Sequence, residues 1–233
     1  MTTRKRVKGR RHQLVAVIAS TADLSAAIKM KPLPDLFELR LDSLCPITTS
    51  VENKISRLRA PLIITARDPR EGGIGNLSVD ARRALLQRFM QRASQVDVEL
   101  RSARQFAALL ASARKRKVRW ILSYHNFKST PSSRSLCAKA RQAKKLGADI
   151  FKVATRTDSP PELSRLIDFI TSCSGDRKRI GQLPISAMGI GKLGAISRLL
   201  LARCGSALNY ASLGRPNVEG QLSIDVLRSA IQS

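Results

Sequence analysis

Asp149-Ile150-Phe151-Lys152-Val153-Ala154-Thr155 is an apolar run with a single lysine in its middle. Apolar residues on both sides of that lysine describe a strand covered on both faces, as strands of parallel sheets are. An ammonium group in such a place loses hydration, and desolvation favours the neutral amine. A neutral amine attacks carbonyl carbons to form a Schiff base. The competing reading is a lysine whose methylene stem is buried and whose head reaches water.

Comparable runs recur at residues 14–19, 36–42, 62–67, 96–100, 118–125, 184–189 and 207–213, each short and rich in Val, Ile or Leu. With 150–155 they make eight. The segments between them have helical spacing. Residues 78–93 open on a Ser cap candidate, with Val79, Leu85, Leu86, Phe89 and Met90 at helical intervals. Residues 103–116 set Phe106, Ala107, Leu109 and Leu110 on one side. Residues 133–146 end on Gly147, a C-cap residue, and Ser159-Pro160-Pro161-Glu162 opens another helix with proline in its first turn. Residues 191–202 and 222–231 complete the series. Strands alternating with helices predict a parallel sheet. Eight such units in 233 residues predict an α/β fold of the (β/α)8 type, a TIM barrel. No Pro/Gly-rich linker divides the chain, so one catalytic domain is expected over 13–233, preceded by a basic, flexible arm at 1–12.

Composition narrows the class. Hydrophobic residues make up 43% of the chain, enough for a full core. Cys45, Cys137, Cys173 and Cys204 are scattered with no C-x-x-C pair, which suits neither a zinc site nor a disulfide framework and fits a reducing compartment. No run approaches the roughly 18 apolar residues of a membrane span. The basic start, Arg4-Lys5-Arg6-Val7-Lys8-Gly9-Arg10-Arg11, is followed by no long apolar segment with a small-residue cleavage site. A cytoplasmic setting without a membrane partner is expected. The formal net charge of +25 raises nucleic-acid binding as an alternative. Yet the basic residues are spread along the chain, many at helix positions such as Arg82, Arg83, Arg88 and Arg92, and six Phe, two Tyr and one Trp give few stacking platforms. The preferred reading is a basic solvated surface that attracts a small anionic substrate, with no specific nucleic-acid partner.

In (β/α)8 barrels the chemistry lies at the C-terminal ends of the strands. Strand two carries Glu38, Arg40 and Asp42, which alternation points to one face; strand three delivers Thr65 and Arg67, then Glu71-Gly72-Gly73. Strand four carries Asp97 and Glu99, strand five Ser123 and His125, and strand six Lys152. Acids and bases inside a barrel must satisfy one another or serve a ligand. Of the two histidines, His12 starts strand one at the opposite end, and its presence is incidental to a site. His125 closes Trp120-Ile121-Leu122-Ser123-Tyr124-His125, one strand before Lys152. Its ordinary pKa suits general acid–base work, although a lone histidine is also common as a loop or satisfied core residue. Gly189-Ile190-Gly191-Lys192-Leu193-Gly194 matches G-x-G-x-x-G, but the next acid is Glu219, so no ribose-binding carboxylate follows about 20 residues on. A tight turn into a helix is the better reading, with a helix N-terminus that favours an anion.

Taken in order, Glu38-Leu39-Arg40-Leu41-Asp42, Thr65-Ala66-Arg67 with Glu71-Gly72-Gly73, Asp97-Val98-Glu99, Ser123-Tyr124-His125-Asn126-Phe127 with Thr130-Pro131, Phe151-Lys152-Val153-Ala154, Met188-Gly189, Ser197-Arg198 and Gly220-Gln221 closely resemble type I 3-dehydroquinate dehydratase. The resemblance runs from strand one to the last helix. It implies a (β/α)8 barrel that dehydrates 3-dehydroquinate to 3-dehydroshikimate in the shikimate pathway, with no cofactor and no metal, as a homodimer. It implies Lys152 as the Schiff-base lysine, His125 as the general acid/base and Glu71 as the carboxylate that orients that histidine. Arg198 would pair with the substrate carboxylate, for which a guanidinium fork is well shaped. Glu38, Arg40 and Arg67 would bind substrate hydroxyls and organise the pocket, Met188 would supply apolar wall, and Gln221 would reach in from the last loop. Two departures stand out. Asn126 occupies a position where the family often has aspartate, and Asn217-Val218-Glu219-Gly220-Gln221 replaces a loop commonly of the form Ser-Ala-Pro-Gly-Gln. Asn217 would replace a serine hydrogen bond, the missing proline predicts a more mobile lid, and Glu219 adds negative charge near a pocket for an anion. Within the same fold, another Schiff-base lyase such as an aldolase is the alternative.

Overall fold

Short apolar runs separated by turn residues become eight parallel strands in the computed structural model, which describes residues 12–175 and 183–232. The expected arm lies outside these residues, His12 apart. The strands are Gln13–Ile18 (β1), Leu36–Arg40 (β2), Leu62–Thr65 (β3), Gln95–Glu99 (β4), Arg119–Asn126 (β5), Ile150–Arg156 (β6), Ile185–Ile190 (β7) and Leu208–Ser212 (β8). They are hydrogen-bonded in the order β7-β6-β5-β4-β3-β2-β1-β8. The remaining seam, β7 against β8, is bridged by Ala207 N–H donating to Ile185 O at 2.8 Å and Ser186 Oγ donating to Leu208 O at 2.6 Å. The result is the nearly closed (β/α)8 barrel that the strand count predicts.

Between and after the strands run helices Thr21–Lys29 (α1), Leu41–Leu44 (α2), Thr48–Ile55 (α3), Val79–Phe89 (α4), Ala107–Lys115 (α5), Ser133–Lys145 (α6), Pro160–Gly175 (α7), Gly194–Arg203 (α8) and Ile224–Gln232 (α9). Ser78 caps α4 as expected, its side chain accepting the Ala81 N–H. Three segments differ from the sequence reading. Helices α1 and α3 were not anticipated: α1 buries only Leu24 and Ala27, and α3 only Thr48, Val51 and Ile55, so neither carries a broad apolar stripe. Strand two stops at Arg40, and Asp42 lies on α2 rather than on the strand.

Alternation sorts each strand into two layers. On β6, Phe151 and Val153 join the core between sheet and helices, where Phe151 meets Phe169 of α7 edge-on at 6.4 Å. Ile150 and Ala154 face inward with Val15, Val17, Leu36, Ile63, Ile121, Met188, Ile190, Leu208 and Tyr210. These fill the barrel interior, so the strand carrying Lys152 is covered on both faces.

The glycine-rich turn after β7 serves packing. A Cβ on Gly220 would stand 2.6 Å from Gly191 O and 2.7 Å from Gly194 Cα, closer than such atoms approach. Gly191 itself has φ +94°, a conformation glycine adopts without strain. The motif lets the loop before α9 lie directly on the start of α8.

Candidate active site

Lys152 is 4% exposed and points into the barrel. Its Nζ donates to Asp97 Oδ2 at 3.0 Å and to Glu38 Oε1 at 3.4 Å, and it lies 3.9 Å from the ring centroid of Tyr210. The amine therefore has counter-ions as well as an apolar surround, which the reading of its own strand omits. Asp97 is held by the Arg67 guanidinium at 3.1 and 2.9 Å and by Ser123 Oγ, which donates at 2.6 Å. Burial works against ionised Asp97, but the charges of Arg67 and Lys152 outweigh it and keep its carboxyl well below the usual range.

Behind Arg67 the charges continue. Arg67 also donates to Glu99 at 3.1 Å, and Glu99 accepts from Arg82 of α4. Arg82 further donates to Ala66 O at 2.8 Å and to Asp68 at 3.2 Å, with its guanidinium 5.1 Å from the Phe106 ring centroid. The sequence reading placed Arg82 on a solvated helix surface. It is instead 1% exposed, because α4 turns this position onto the sheet, where two carboxylates compensate its charge.

His125 and Glu71 form the second cluster. The loop after β3 brings Glu71 to the end of β5, where Glu71 Oε2 accepts the His125 backbone N–H at 2.9 Å and lies 3.0 Å from His125 Nδ1. Burial, with the nearby charges of Arg67 and Lys152, pushes the imidazole well below its ordinary value, so it is neutral at physiological pH. Burial pushes the Glu71 carboxyl up to about 7. A neutral imidazole beside a carboxyl of that pKa is an arrangement for accepting and returning one proton.

The third cluster lies across the mouth. Arg40 grips Asp42 at 3.0 and 2.8 Å and donates to Gly72 O at 3.2 Å. Arg198 donates to Gly220 O at 3.1 Å and Tyr210 O at 3.0 Å. Among the cations lining the cavity, Arg198 alone has no carboxylate partner among the described residues; burial pushes its guanidinium down to about 10. Gln221 Oε1 accepts the Asn217 backbone N–H at 2.7 Å and side-chain amide at 3.2 Å, which closes the last loop on itself at the cavity wall.

Lys152, His125, Glu71, Glu38, Arg40, Arg67, Arg198, Gln221, Asn217 and Met188 all line one cavity of about 300 Å³, closed on its apolar side by Val17, Ala154, Ile190, Tyr210 and Val218. That is the size of a small-molecule site. A model of the type I 3-dehydroquinase family matches residues 13–233.

The chain belongs to the type I 3-dehydroquinase family.

Its similarity to curated members is broad. The 3-dehydroquinate dehydratase of Shouchella clausii (strain KSM-K16) is 34% identical over 229 residues, 93% of this chain and 86% of that one. The 3-dehydroquinate dehydratase of Methanothermobacter thermautotrophicus is 34% identical over 198 residues, 84% of each. The crystal structure of type I 3-dehydroquinate dehydratase from Clostridium difficile, with covalent modified comenic acid, matches with a TM-score of 0.84 at 25% identity, over 97% of this chain and 92% of that one.

At this cavity of a type I 3-dehydroquinase chain, sequence reading passed over two residues that touch the lysine. Asp97 was read as one of a pair of strand acids; the contact with Lys152 depends on how β4, β5 and β6 align across the barrel. Tyr210 was read only as part of an apolar strand. Glu219, expected to add charge to the pocket, instead pairs with Arg156 at 3.2 Å, while its carbonyl accepts the Gly191 N–H at 3.0 Å. Among the described residues, no group of three or more His, Cys, Asp or Glu is placed to hold a metal ion, and no helix is long and apolar enough to cross a membrane.

Proposed function

We propose that the chain dehydrates 3-dehydroquinate to 3-dehydroshikimate through an imine on Lys152. The observation that carries this reading is the meeting of the buried Lys152 amine, the neutral His125 imidazole and the carboxylate-free Arg198 in one cavity of a type I 3-dehydroquinase.

In this reading Arg198 takes the substrate carboxylate, the charged fork meeting a group it has no protein substitute for. Glu38 and Arg40 meet ring hydroxyls, and Met188 and Val218 cover the apolar side. Lys152 attacks the ketone; the C–N bond forms, the carbonyl oxygen leaves as water and the nitrogen ends as an iminium. The iminium withdraws electrons from the adjacent carbon. His125 Nε2 accepts a proton from that carbon, the C–H pair flows toward nitrogen as an enamine, and the enamine then expels the β-hydroxyl. The imidazolium returns its proton to the leaving oxygen, so the base ends as it began and one water is lost. Hydrolysis of the conjugated iminium frees the amine. Asp97 and Glu38 hold Lys152 between cycles, and Glu71 fixes the imidazole. A homodimeric state and a cytoplasmic setting belong to the same reading; light scattering on the purified chain tests the first.

Incubation with 3-dehydroquinate, followed by the near-ultraviolet absorbance of the conjugated enoate product, tests the assignment. Turnover by the wild type and its loss in Lys152→Ala are expected. No turnover by folded wild type, or turnover confined to aldol substrates, would overturn it.

A further inference from the structure

Tyr210 on β8 sends its side chain into the barrel interior and is 3% exposed. Its ring face carries the Lys152 amine, with Nζ 3.9 Å from the centroid. Its hydroxyl is buried and has no hydrogen-bond partner among the described residues. Buried tyrosine hydroxyls ordinarily find a partner, and a ring held against an amine needs no hydroxyl for that contact. The same side chain lines the cavity that holds Lys152, His125 and Arg198. Burial, with the carboxylates of Glu38 and Asp97, holds the phenol well above its ordinary value, so it keeps its proton and has an O–H to donate.

We propose that Tyr210 is a further catalytic residue: its hydroxyl donates a hydrogen bond to the substrate oxygen on the carbon that bonds to Lys152 Nζ. This rests on the Schiff-base reading. As the amine lone pair forms the C–N bond, the carbonyl π pair moves onto oxygen. A proton from the original ammonium neutralises that oxygen as a carbinolamine hydroxyl, and a second leaves with it as water while nitrogen forms C=N. The two protons lost by the ammonium are the two in the water released, so no external acid is consumed. Tyr210 keeps its own proton throughout. It stabilises the charge that develops on oxygen, beside a nitrogen that its ring face already holds. The ring favours the cationic states of that nitrogen, ammonium before and iminium after; the hydroxyl serves the oxygen that passes between them.

Tyr210→Phe keeps the ring and removes the donor. Wild type and variant are mixed rapidly with 3-dehydroquinate, quenched with borohydride at increasing times and weighed intact. The variant is expected to form the reduced adduct at least about tenfold more slowly, the scale of a lost hydrogen bond to a charged group. Its primary isotope effect on kcat/KM, with deuterium at the carbon His125 deprotonates, should fall toward unity as imine formation becomes limiting. Its thermal midpoint should equal or exceed the wild type's, because a buried donor without a protein partner has been removed. Adduct formation within twofold of the wild-type rate would overturn the proposal, as would a lowered midpoint, which would assign the hydroxyl a structural partner. If wild type itself gives no adduct, it is the Schiff-base reading that fails.

Discussion

His125 Nδ1 and the backbone N–H of the same residue both meet Glu71 Oε2, at 3.0 and 2.9 Å. One carboxylate oxygen thus fixes the ring and sets which ring nitrogen is free. With Glu71 ionised, Nδ1–H donates to it and Nε2 carries the lone pair that the proposed mechanism uses. With Glu71 protonated, its O–H donates to Nδ1, the proton sits on Nε2, and the base is lost. Glu71 has its pKa raised to about 7, so the active tautomer is present above that pH and lost as pH falls through it.

A pH–rate profile reads this directly. kcat is expected to fall about tenfold per unit on the acid side of about 7, and Glu71→Gln, which cannot titrate, should remove that limb. His125→Ala should lower kcat roughly 10²- to 10⁴-fold while the imine still forms. A flat profile from pH 6 to 8 would detach Glu71 from the base.

Among the described residues, the buried Arg198 guanidinium bonds only to the carbonyl oxygens of Gly220 and Tyr210. Arg198→Ala should raise KM roughly 10- to 100-fold, the scale of a charged hydrogen bond, with a smaller effect on kcat. Steady-state kinetics on the carboxylate substrate and on its methyl ester check the pairing. The variant should discriminate between the two far less than wild type does.

Arg82 compensates Glu99 and Asp68 in the interior. Removing one partner of a buried ion pair leaves charge without compensation, so Arg82→Met should lower the unfolding free energy by about 3–5 kcal/mol in urea titrations. Arg83, one residue on, pairs with Asp80 near the surface. Arg83→Met should change stability by less than about 1 kcal/mol. Equal effects at the two positions would contradict the burial of Arg82.

Glu219 joins the loop before α9 to Arg156 on β6, with side chains 54% and 33% exposed. Water and salt screen an ion pair so exposed, and Arg156 keeps Asp158 as a second partner at 2.6 Å. Glu219→Ala should therefore raise KM by no more than about fivefold and reduce its dependence on sodium chloride. An improved KM at low salt would restore Glu219 as a repulsive charge in the pocket.

The barrel was legible because parallel strands are short, doubly buried and separated by turn chemistry, so period and spacing reveal them without knowledge of their partners. Lys152 and His125 were legible for a related reason: a charge in an apolar strand and a histidine closing one break the local pattern. Arg82 was not. Beside Arg83 it reads as half of an exposed pair, and its partners Ala66, Asp68 and Glu99 are distant in sequence. Asp97 and Tyr210 are ordinary for their strands, and only the barrel's closure brings both to one amine. Glu219 was visible as an unusual acid, but its direction depends on the fold of the loop onto Gly191.

The central claim is a covalent bond between Lys152 and the substrate ketone. Borohydride reduction in the presence of 3-dehydroquinate, followed by intact mass and peptide mapping, measures that bond. One adduct per chain on the peptide carrying Lys152 is expected, absent in Lys152→Ala and retained in His125→Ala. No adduct on active wild type, or an undiminished adduct in Lys152→Ala, would contradict the account.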